Sequence, residues 1–349
     1  KEYASRHGVE IESAVSGILD KKDDTSFSFI IILAIMRSKK LIGVNSYYQF
    51  VNFEIICEAD ADGKCVLTPN STVKFHKHES PFTTKKAHEI SNLDTEINPS
   101  LIIAGCGALG SKIAMHLVRS GITNILFCDP DYLSDHNLCR HALLDKSVYK
   151  NKASEMRSAT NLIYYHEMLK ADASCRGIKT ILGDAEIMSK RTPDYLLDFT
   201  ASKVAHNQLV NIKNRPTAIS AAIFDNGKFG LLMSEGNNGE VRLDDVMAAF
   251  FAQYKTDPIV SSYLMREKEL SREPSSLLNV GLGCNSETFI LADDIISLYA
   301  ASMSVTIKDI FAGNHANGGC WMYISDKFGS LKIQKIEVPQ FYCYDVDTW

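Results

Sequence analysis

Arg140 and Lys152 stand downstream of a glycine turn and a strand-ending carboxylate. In that order, these residue types could bind a nucleotide and stabilise charge on its phosphates. The turn is Gly105-Cys106-Gly107-Ala108-Leu109-Gly110, entered from the apolar run Leu101-Ile102-Ile103-Ala104. Glycines so spaced let the chain turn tightly and let backbone N–H groups approach phosphate, and a helix starting there adds a favourable field for an anion. Asp129 ends the next apolar run, Ile125-Leu126-Phe127-Cys128, 19 residues after Gly110. A carboxylate at that distance can accept hydrogen bonds from both ribose hydroxyls. NAD and FAD enzymes carry the same fingerprint, so the segment after Asp129 decides between chemistries. A dinucleotide site needs no basic pair there. A site in which the α-phosphate of ATP is attacked does, because negative charge gathers on the phosphoryl oxygens and preorganised Arg and Lys lower its energy.

The elements that must position these residues follow from periodicity. From Leu101 strand and helix patterns alternate. Strands are expected at 101–104, 124–128, 178–182, 195–199 and 217–221, and helices at 110–120, 151–163, 203–213 and 243–254. Such alternation predicts an α/β fold, a Rossmann-like, mostly parallel sheet wrapped by helices. An apolar helix is expected over Thr288–Met303 and two strands over Gly319–Val338. Ahead of this lies a smaller α+β region with a helix at Glu10–Leu19, an apolar run at Phe29–Met36, a strand in Tyr47–Glu58 and return strands at Lys64–Val66 and Thr72–His76. Ser91–Ser100 is polar, contains Pro99 and reads as a boundary. The expected organisation is residues 1–97 as a linker or docking domain and 98–349 as the nucleotide domain.

A chain of 349 residues is long enough for two domains. Its 37 basic and 42 acidic residues give a formal charge of −5, and no long basic run points to nucleic acid or an anionic membrane. The longest apolar run, Phe29–Met36, falls short of the roughly 20 residues a spanning helix needs. The amino end is Lys-Glu-Tyr, without Met or a signal-peptide pattern, so the chain reads as a piece of a longer protein. Nine cysteines, none spaced C-x-x-C, argue against a structural zinc knuckle and suit a reducing cytoplasm.

Three further places could do chemistry. Asp198 ends the strand-like Tyr195–Asp198 and could hold Mg²⁺ or cap the following helix. Cys284 lies in Gly281-Leu282-Gly283-Cys284-Asn285-Ser286, just before an apolar helix whose N-terminus would favour thiolate. Cys320, after Gly318-Gly319, is the second candidate thiol. Cys106, Cys128 and Cys175 lie in or near apolar elements and are expected to be inert, and Cys139 is expected to pack. His76-Lys77-His78 reads as a solvated strand end rather than a metal site.

The run Gly-Cys-Gly-Ala-Leu-Gly, Asp129-Pro130-Asp131, Ser134-Asp135-His136-Asn137-Leu138-Cys139-Arg140-His141 and Asn151-Lys152-Ala153 resembles the adenylating domain of the ThiF/MoeB and ubiquitin-activating-enzyme family. The resemblance covers roughly residues 100 to 300, on the family pattern itself. The Gly-Cys-x-Ser-x-Thr-Phe stretch at 283–289 looks like the loop of bacterial activating enzymes fused to a ubiquitin-conjugating domain, of the kind found in antiviral conjugation operons. The resemblance implies ATP and Mg²⁺ as cofactors. It implies a nucleotide site of Gly105, Gly107, Gly110, Asp129, Asp131, Asn137, Arg140, Lys152 and Asp198, with Asp129 on the ribose, Asn137 and Arg140 toward the phosphates, Lys152 as catalytic lysine and Cys284 as acyl acceptor. It implies partners too: a ubiquitin-like protein offering its C-terminal tail, a conjugating enzyme or domain, and a second copy in a homodimer that contributes an arginine. Where the family pattern reads Asp-x-Thr-Asp-Asn, this chain has Asp198-Phe199-Thr200-Ala201-Ser202, so the usual metal-associated Asp is Ala201.

Overall fold

The computed structural model describes residues 20–21, 26–59, 61, 65–94, 97–168, 171–212, 214–237, 239–270, 277–279, 287–289, 291–326 and 329–338. The chain divides into two compact units, Lys1–Ile90 and Ser91–Trp349.

In the first unit β1 (Asp20–Lys21), β2 (Ser26–Met36), β3 (Tyr48–Ala59), β4 (Cys65–Val66) and β5 (Thr72–His76) form one antiparallel sheet, followed by α1 (Thr84–Ile90). Its centre is the long β2–β3 pairing, in register from Ser26↔Glu58 to Met36↔Tyr48. Strand alternation sends Ile30, Ile32 and Met36 to one face, where they are exposed. Cys57 is disulfide-bonded, unlike the reduced thiols expected throughout. The helix expected at Glu10–Leu19 lies outside the described residues.

The second unit contains, in order, β6 (Leu101–Ala104), α2 (Ala108–Arg119), β7 (Ile125–Cys128), α3 (Lys152–Ile163), β8 (Asp172–Ser174), α4 (Ile178–Leu182), α5 (Ala185–Arg191), β9 (Tyr195–Asp198) and α6 (Lys203–Asn211). Then follow β10 (Thr217–Phe224), β11 (Phe229–Ser234), α7 (Leu243–Ala252), α8 (Pro258–Leu270), the small pair β12 (Leu277–Asn279) and β13 (Glu287–Phe289), α9 (Asp293–Phe311), β14 (Gly319–Ser325) and β15 (Leu331–Ile336). The main sheet runs β15-β14-β11-β10-β9-β6-β7-β8. The five strands from β10 to β8 are parallel, and β11, β14 and β15 extend the sheet antiparallel. This is the expected α/β architecture.

β6, β7 and the last three residues of β9 are buried at every position, which is why they read as continuous apolar runs. Their helices bury one stripe each: Ile113, Ala114, Leu117 and Val118 in α2, and Ala153, Met156 and Thr160 in α3. On one face, Ile102, Leu126, Leu196 and Ala218 share a core with Leu209, Leu243, Val246 and Phe250.

Two expectations shift. Residues 178–182 form the helix α4, not a strand; Ile178 and Ile181 are buried three apart behind Gly177, a helical period, while the edge strand is the polar Asp172–Ser174. The apolar helix begins at Asp293 rather than 288, with Asp293 and Asp294 in its first turn, where the helix dipole favours them. Among the described residues no helix is long and apolar enough to cross a membrane.

Candidate nucleotide site

The parallel register brings the carboxyl ends of three strands level. Ala104 pairs with Cys128 on one side and with Asp198 on the other. β6 is also where strand order reverses, since β7 and β8 lie to one side and β9 and β10 to the other. In open α/β sheets the crevice outside the strand ends at such a reversal is where ligands bind. Gly105, Asp129 and Phe199 leave the sheet together there.

Each glycine of the turn answers a different constraint. Gly105 has φ +86°, and a Cβ there would stand 2.8 Å from Phe199 C and Thr200 N. At Gly110 a Cβ would meet the Gly105 carbonyl oxygen at 2.0 Å, so helix α2 sits against its own entry turn. Around Gly107 nothing lies within 4 Å of such a Cβ. Gly107 is the N-cap of α2, and no side chain caps it. The first-turn N–H groups of α2 therefore have no side-chain cap at Gly107, the arrangement in which an anion can take them.

The one residue of the turn's core that carries a side chain, Cys106, is held by both backbone groups. Its N–H donates to Asp129 Oδ2 (2.7 Å), and its carbonyl accepts from His141 Nε2 (2.6 Å). His141 Nδ1 accepts the Leu143 N–H (3.0 Å), which fixes the imidazole as the Nε2–H tautomer. The neighbouring Ala142 N–H donates to Ser111 Oγ in α2 (3.2 Å). Burial, helped by the Lys152 and Lys112 charges, drives His141 down to about 4, against the pull of its bond to Cys106, so the ring is neutral at pH 7. Asp129 is 5% exposed. Burial pushes its carboxyl up, countered by donors from Asp131 and Cys106 and by the Lys152 ammonium. Its Oδ1 accepts the Asp131 N–H (2.8 Å). Each oxygen thus carries one backbone donor and keeps lone-pair capacity for a ribose hydroxyl.

Beyond Asp129 the chain is bound back on itself. Asn151 caps α3 by accepting the Ser154 N–H (3.0 Å), and its amide donates to the carbonyls of Asp129 (2.7 Å) and Asp131 (3.1 Å). This fixes Lys152 as the first residue of α3, with its N–H on the Asp131 carbonyl (3.0 Å). The Lys152 side chain is 13% exposed, and its ammonium meets Asp131 Oδ2 only at 3.4 Å. Its charge is close enough to bias the titrations of Cys106, Asp129 and His141 together. Asn137 Oδ1 accepts the Ser134 N–H (3.0 Å), leaving its Nδ2 donors without a protein acceptor among the described residues. Arg140 ends the short 3₁₀ turn Asp135–Cys139, its N–H on the Asn137 carbonyl (3.1 Å).

On the other side, Asp198 Oδ1 accepts both the N–H (3.0 Å) and the hydroxyl (2.6 Å) of Thr200. Burial pushes the Asp198 carboxyl up, so a cation beside it would relieve a real electrostatic cost. Ala201, at the position of the family's second carboxylate, has φ +52°, a left-handed conformation unfavourable for Ala. Among the described residues no group of three or more His, Cys, Asp or Glu is arranged to hold a metal ion. Asp198 fits as a single protein ligand for a Mg²⁺ otherwise carried by phosphates and water.

The cysteines sort differently from expectation. Cys106 and Cys128 are buried as expected, their thiols pushed up by desolvation. Cys320 is wholly buried in β14 with its thiol raised to about 12, which removes it as an acceptor. Cys139 and Cys175 are exposed, against the expectation that they pack or lie in apolar elements. Each is at a segment end, Cys139 closing the 3₁₀ turn and Cys175 just after the edge strand β8. Cys284 lies outside the described residues. A cavity of about 680 Å³ opens elsewhere, among Ser100, Asn124, Asp172 and Asp194 at the amino ends of β6, β7, β8 and β9. It lies at the opposite strand ends from the glycine turn and has no part in this site.

Two positioning residues, Asn151 and His141, lie inside the quoted motif but take no role from it. Asn151 carries a recognisable signal, an Asn directly before a helical pattern. His141 carries only a weak one, a polar ring ahead of the apolar Ala142-Leu143-Leu144, because its partner lies 35 residues away.

Residues 95–233 match the ThiF family. Over 103 residues the chain is 35% identical to the ATP-dependent ubiquitin transferase-like protein Cap2 of Enterobacter hormaechei subsp. hoffmannii; the match covers 29% of this chain and 16% of Cap2. Among solved structures it is similar to E. coli MccB with ATP (13% identity, 70% of this chain and 66% of that chain, TM-score 0.45) and to PaaA (14% identity, 71% and 68%, TM-score 0.47). The glycine turn, Asp129, Arg140, Lys152 and Asp198 all fall within the segment that matches the ThiF family.

Proposed function

We propose that this chain adenylates the C-terminal carboxylate of a ubiquitin-like or similarly tailed protein. The observation that carries the reading is the convergence of Lys152 on the glycine turn and Asp129, held at the head of α3 by the Asn151 cap. In this reading Asp129 binds the ribose, and the open first turn of α2 at Gly107 receives phosphate. The Asn137 amide, Arg140 and Lys152 face the charge that grows during attack. One carboxylate oxygen of the substrate bonds to the α-phosphorus, the bond to the bridging oxygen breaks, and pyrophosphate leaves with that electron pair. Mg²⁺, held by Asp198, would supply charge neutralisation at the phosphates.

The resemblance to Cap2, whose name records an ATP-dependent ubiquitin transferase-like protein, supports a protein substrate. We further propose that Cys284 captures the acyl group: its thiolate attacks the acyl carbon, AMP leaves, and a thioester forms for transfer to a conjugating enzyme in a bacterial conjugation system. Residues 1–97 would serve as the linker or docking part, and a second copy would supply an arginine. Ala201 favours one other reading, a module that binds ATP and its partner without turnover.

ATP–pyrophosphate exchange with a candidate modifier, followed by a non-reducing gel, tests the scheme. The expected result is exchange that survives Cys284→Ala while the thiol-sensitive adduct disappears. Lys152→Ala should lower exchange by about a hundredfold or more, as loss of a charge-stabilising donor does. No exchange by the unmutated protein overturns the enzyme reading, and exchange indifferent to Lys152→Ala overturns that residue's role.

A further inference from the structure

We infer that His141 is a positioning residue: it locks the phosphate-facing turn at Cys106 and ties that turn to Arg140, the residue just before it. The inference rests on the nucleotide reading above and adds a residue to it.

Gly105 and Gly107 have no side chains to restrain them, and beyond the Gly105 N–H bond to the Cys128 carbonyl (2.9 Å) the turn's shape depends on what holds the Cys106 backbone. Two groups do, both from the segment that follows β7. Asp129 takes the Cys106 N–H and His141 takes its carbonyl, at 2.7 and 2.6 Å. The Leu143 N–H on Nδ1 leaves Nε2 as the donor and keeps the ring from rotating. Ala142 on Ser111 fastens the same segment to the first turn of α2. His141 is 7% exposed and Cys106 1% exposed, so water offers little substitute for the lost bond. A ring placed only for packing would not need its donor aimed at the one carbonyl between the two glycines. With the pin, the N–H groups that would receive phosphate are ordered before ATP arrives, and Arg140 is carried on the same strut. Without it, that ordering falls on the binding step.

The test compares the parent with His141→Ala and His141→Gln. A glutamine amide reaches about as far as Nε2 and can donate the same bond, whereas alanine cannot. Deuterium exchange is followed in the peptide spanning Gly105–Gly110 without ATP, and ATP affinity is measured by equilibrium binding. In His141→Ala the turn should exchange about tenfold faster and the ATP Kd should rise about tenfold, the loss of one well-made buried hydrogen bond. His141→Gln should restore both to within about threefold. Unchanged exchange in His141→Ala overturns the pin, and this readout needs no nucleotide. Faster exchange with unchanged ATP affinity overturns the coupling to the site. Equal losses in Ala and Gln, in exchange and affinity alike, overturn the role of the donor and leave the ring as packing. A parent protein that binds no ATP refutes the nucleotide reading itself, and with it the role assigned to His141.

Discussion

Acid should weaken the second unit through His141, by an amount the structure sets. An exposed imidazole in the unfolded chain titrates near 6.5, whereas in the fold burial lowers His141 to about 4. Protonation would place a charge in a buried site and destroy the acceptor at Nδ1 that takes the Leu143 N–H. Lys152 and Lys112, which face the ring, oppose the added charge; the Asp129 carboxylate shares the Cys106 peptide but meets its other end. Because the folded value lies below the unfolded one, the stabilisation is fully present above pH 6.5. It is lost as pH falls toward about 4, since in that window the unfolded state binds more protons. At about 1.4 kcal/mol per pH unit the loss amounts to about 3 kcal/mol. Asp129 and Asp198 act in the opposite sense, since burial raises both carboxyls and so favours their protonated folded forms in acid. The measurement is therefore differential. Urea unfolding would be followed by Trp321, buried in β14 of the same unit, in a Trp349→Phe background at several pH values. His141→Gln keeps the donor and cannot titrate, so its stability should decline less steeply than that of the parent, the gap growing to about 3 kcal/mol by about pH 4. Parallel pH profiles for the two proteins would refute the claim that His141 is held neutral by the fold.

Gly105→Ala should cost about 2 kcal/mol or more, because φ +86° and a 2.8 Å approach to the Phe199–Thr200 peptide leave a methyl group no room; a shifted thermal midpoint checks it. Ala201→Gly should stabilise by up to about 1 kcal/mol by relieving a left-handed alanine, and a lower midpoint than the parent would count against that strain. Glu235→Ala should cost about 3–5 kcal/mol in urea unfolding. It strands Arg215, 1% exposed at its side chain and paired to both Glu235 oxygens at 2.6 Å, and it frees the Ala218 and Leu243 N–H groups. A loss below about 1 kcal/mol would mean that water replaces the carboxylate.

What could be read from the sequence was local. β6, β7 and β9 are short apolar runs because both sheet faces are covered, and such runs declare themselves without partners. The glycine spacing and the Asp129 distance encode a turn and a strand length, so they too are legible along the chain. Residues 178–182 misled because an isolated run such as Ile-Lys-Thr-Ile-Leu fits either period, and the choice was made by packing: Ile178 and Ile181 reach the core only as a helix. Cys175 and Cys139 misled because a free thiol usually packs inside, whereas each here ends a short surface segment beside polar neighbours, Ser174 and Arg176 or Asn137 and Arg140. His141 was hidden because its role exists only across 35 residues, in a bond to a carbonyl that no side-chain pattern records.

That contrast bears on how such a site is built. Charged groups near phosphate act through preorganisation, and a lysine that must be recruited from solvent during attack loses much of its value. Here the restraint is supplied by neutral or backbone-directed partners rather than by strong ion pairing. Lys152 is fixed through its own N–H and the Asn151 cap, while its ammonium keeps only a long contact with Asp131. Asp129 is fixed by two backbone donors instead of an arginine, and the glycine turn by a neutral imidazole. A tight salt bridge at any of these points would hold the geometry equally well but consume the charge that the proposed adenylation needs. Main-chain struts therefore allow Lys152 to be placed and still unspent, and the same logic accounts for an aspartate at 129 that carries backbone bonds on both oxygens yet retains acceptor capacity toward the crevice.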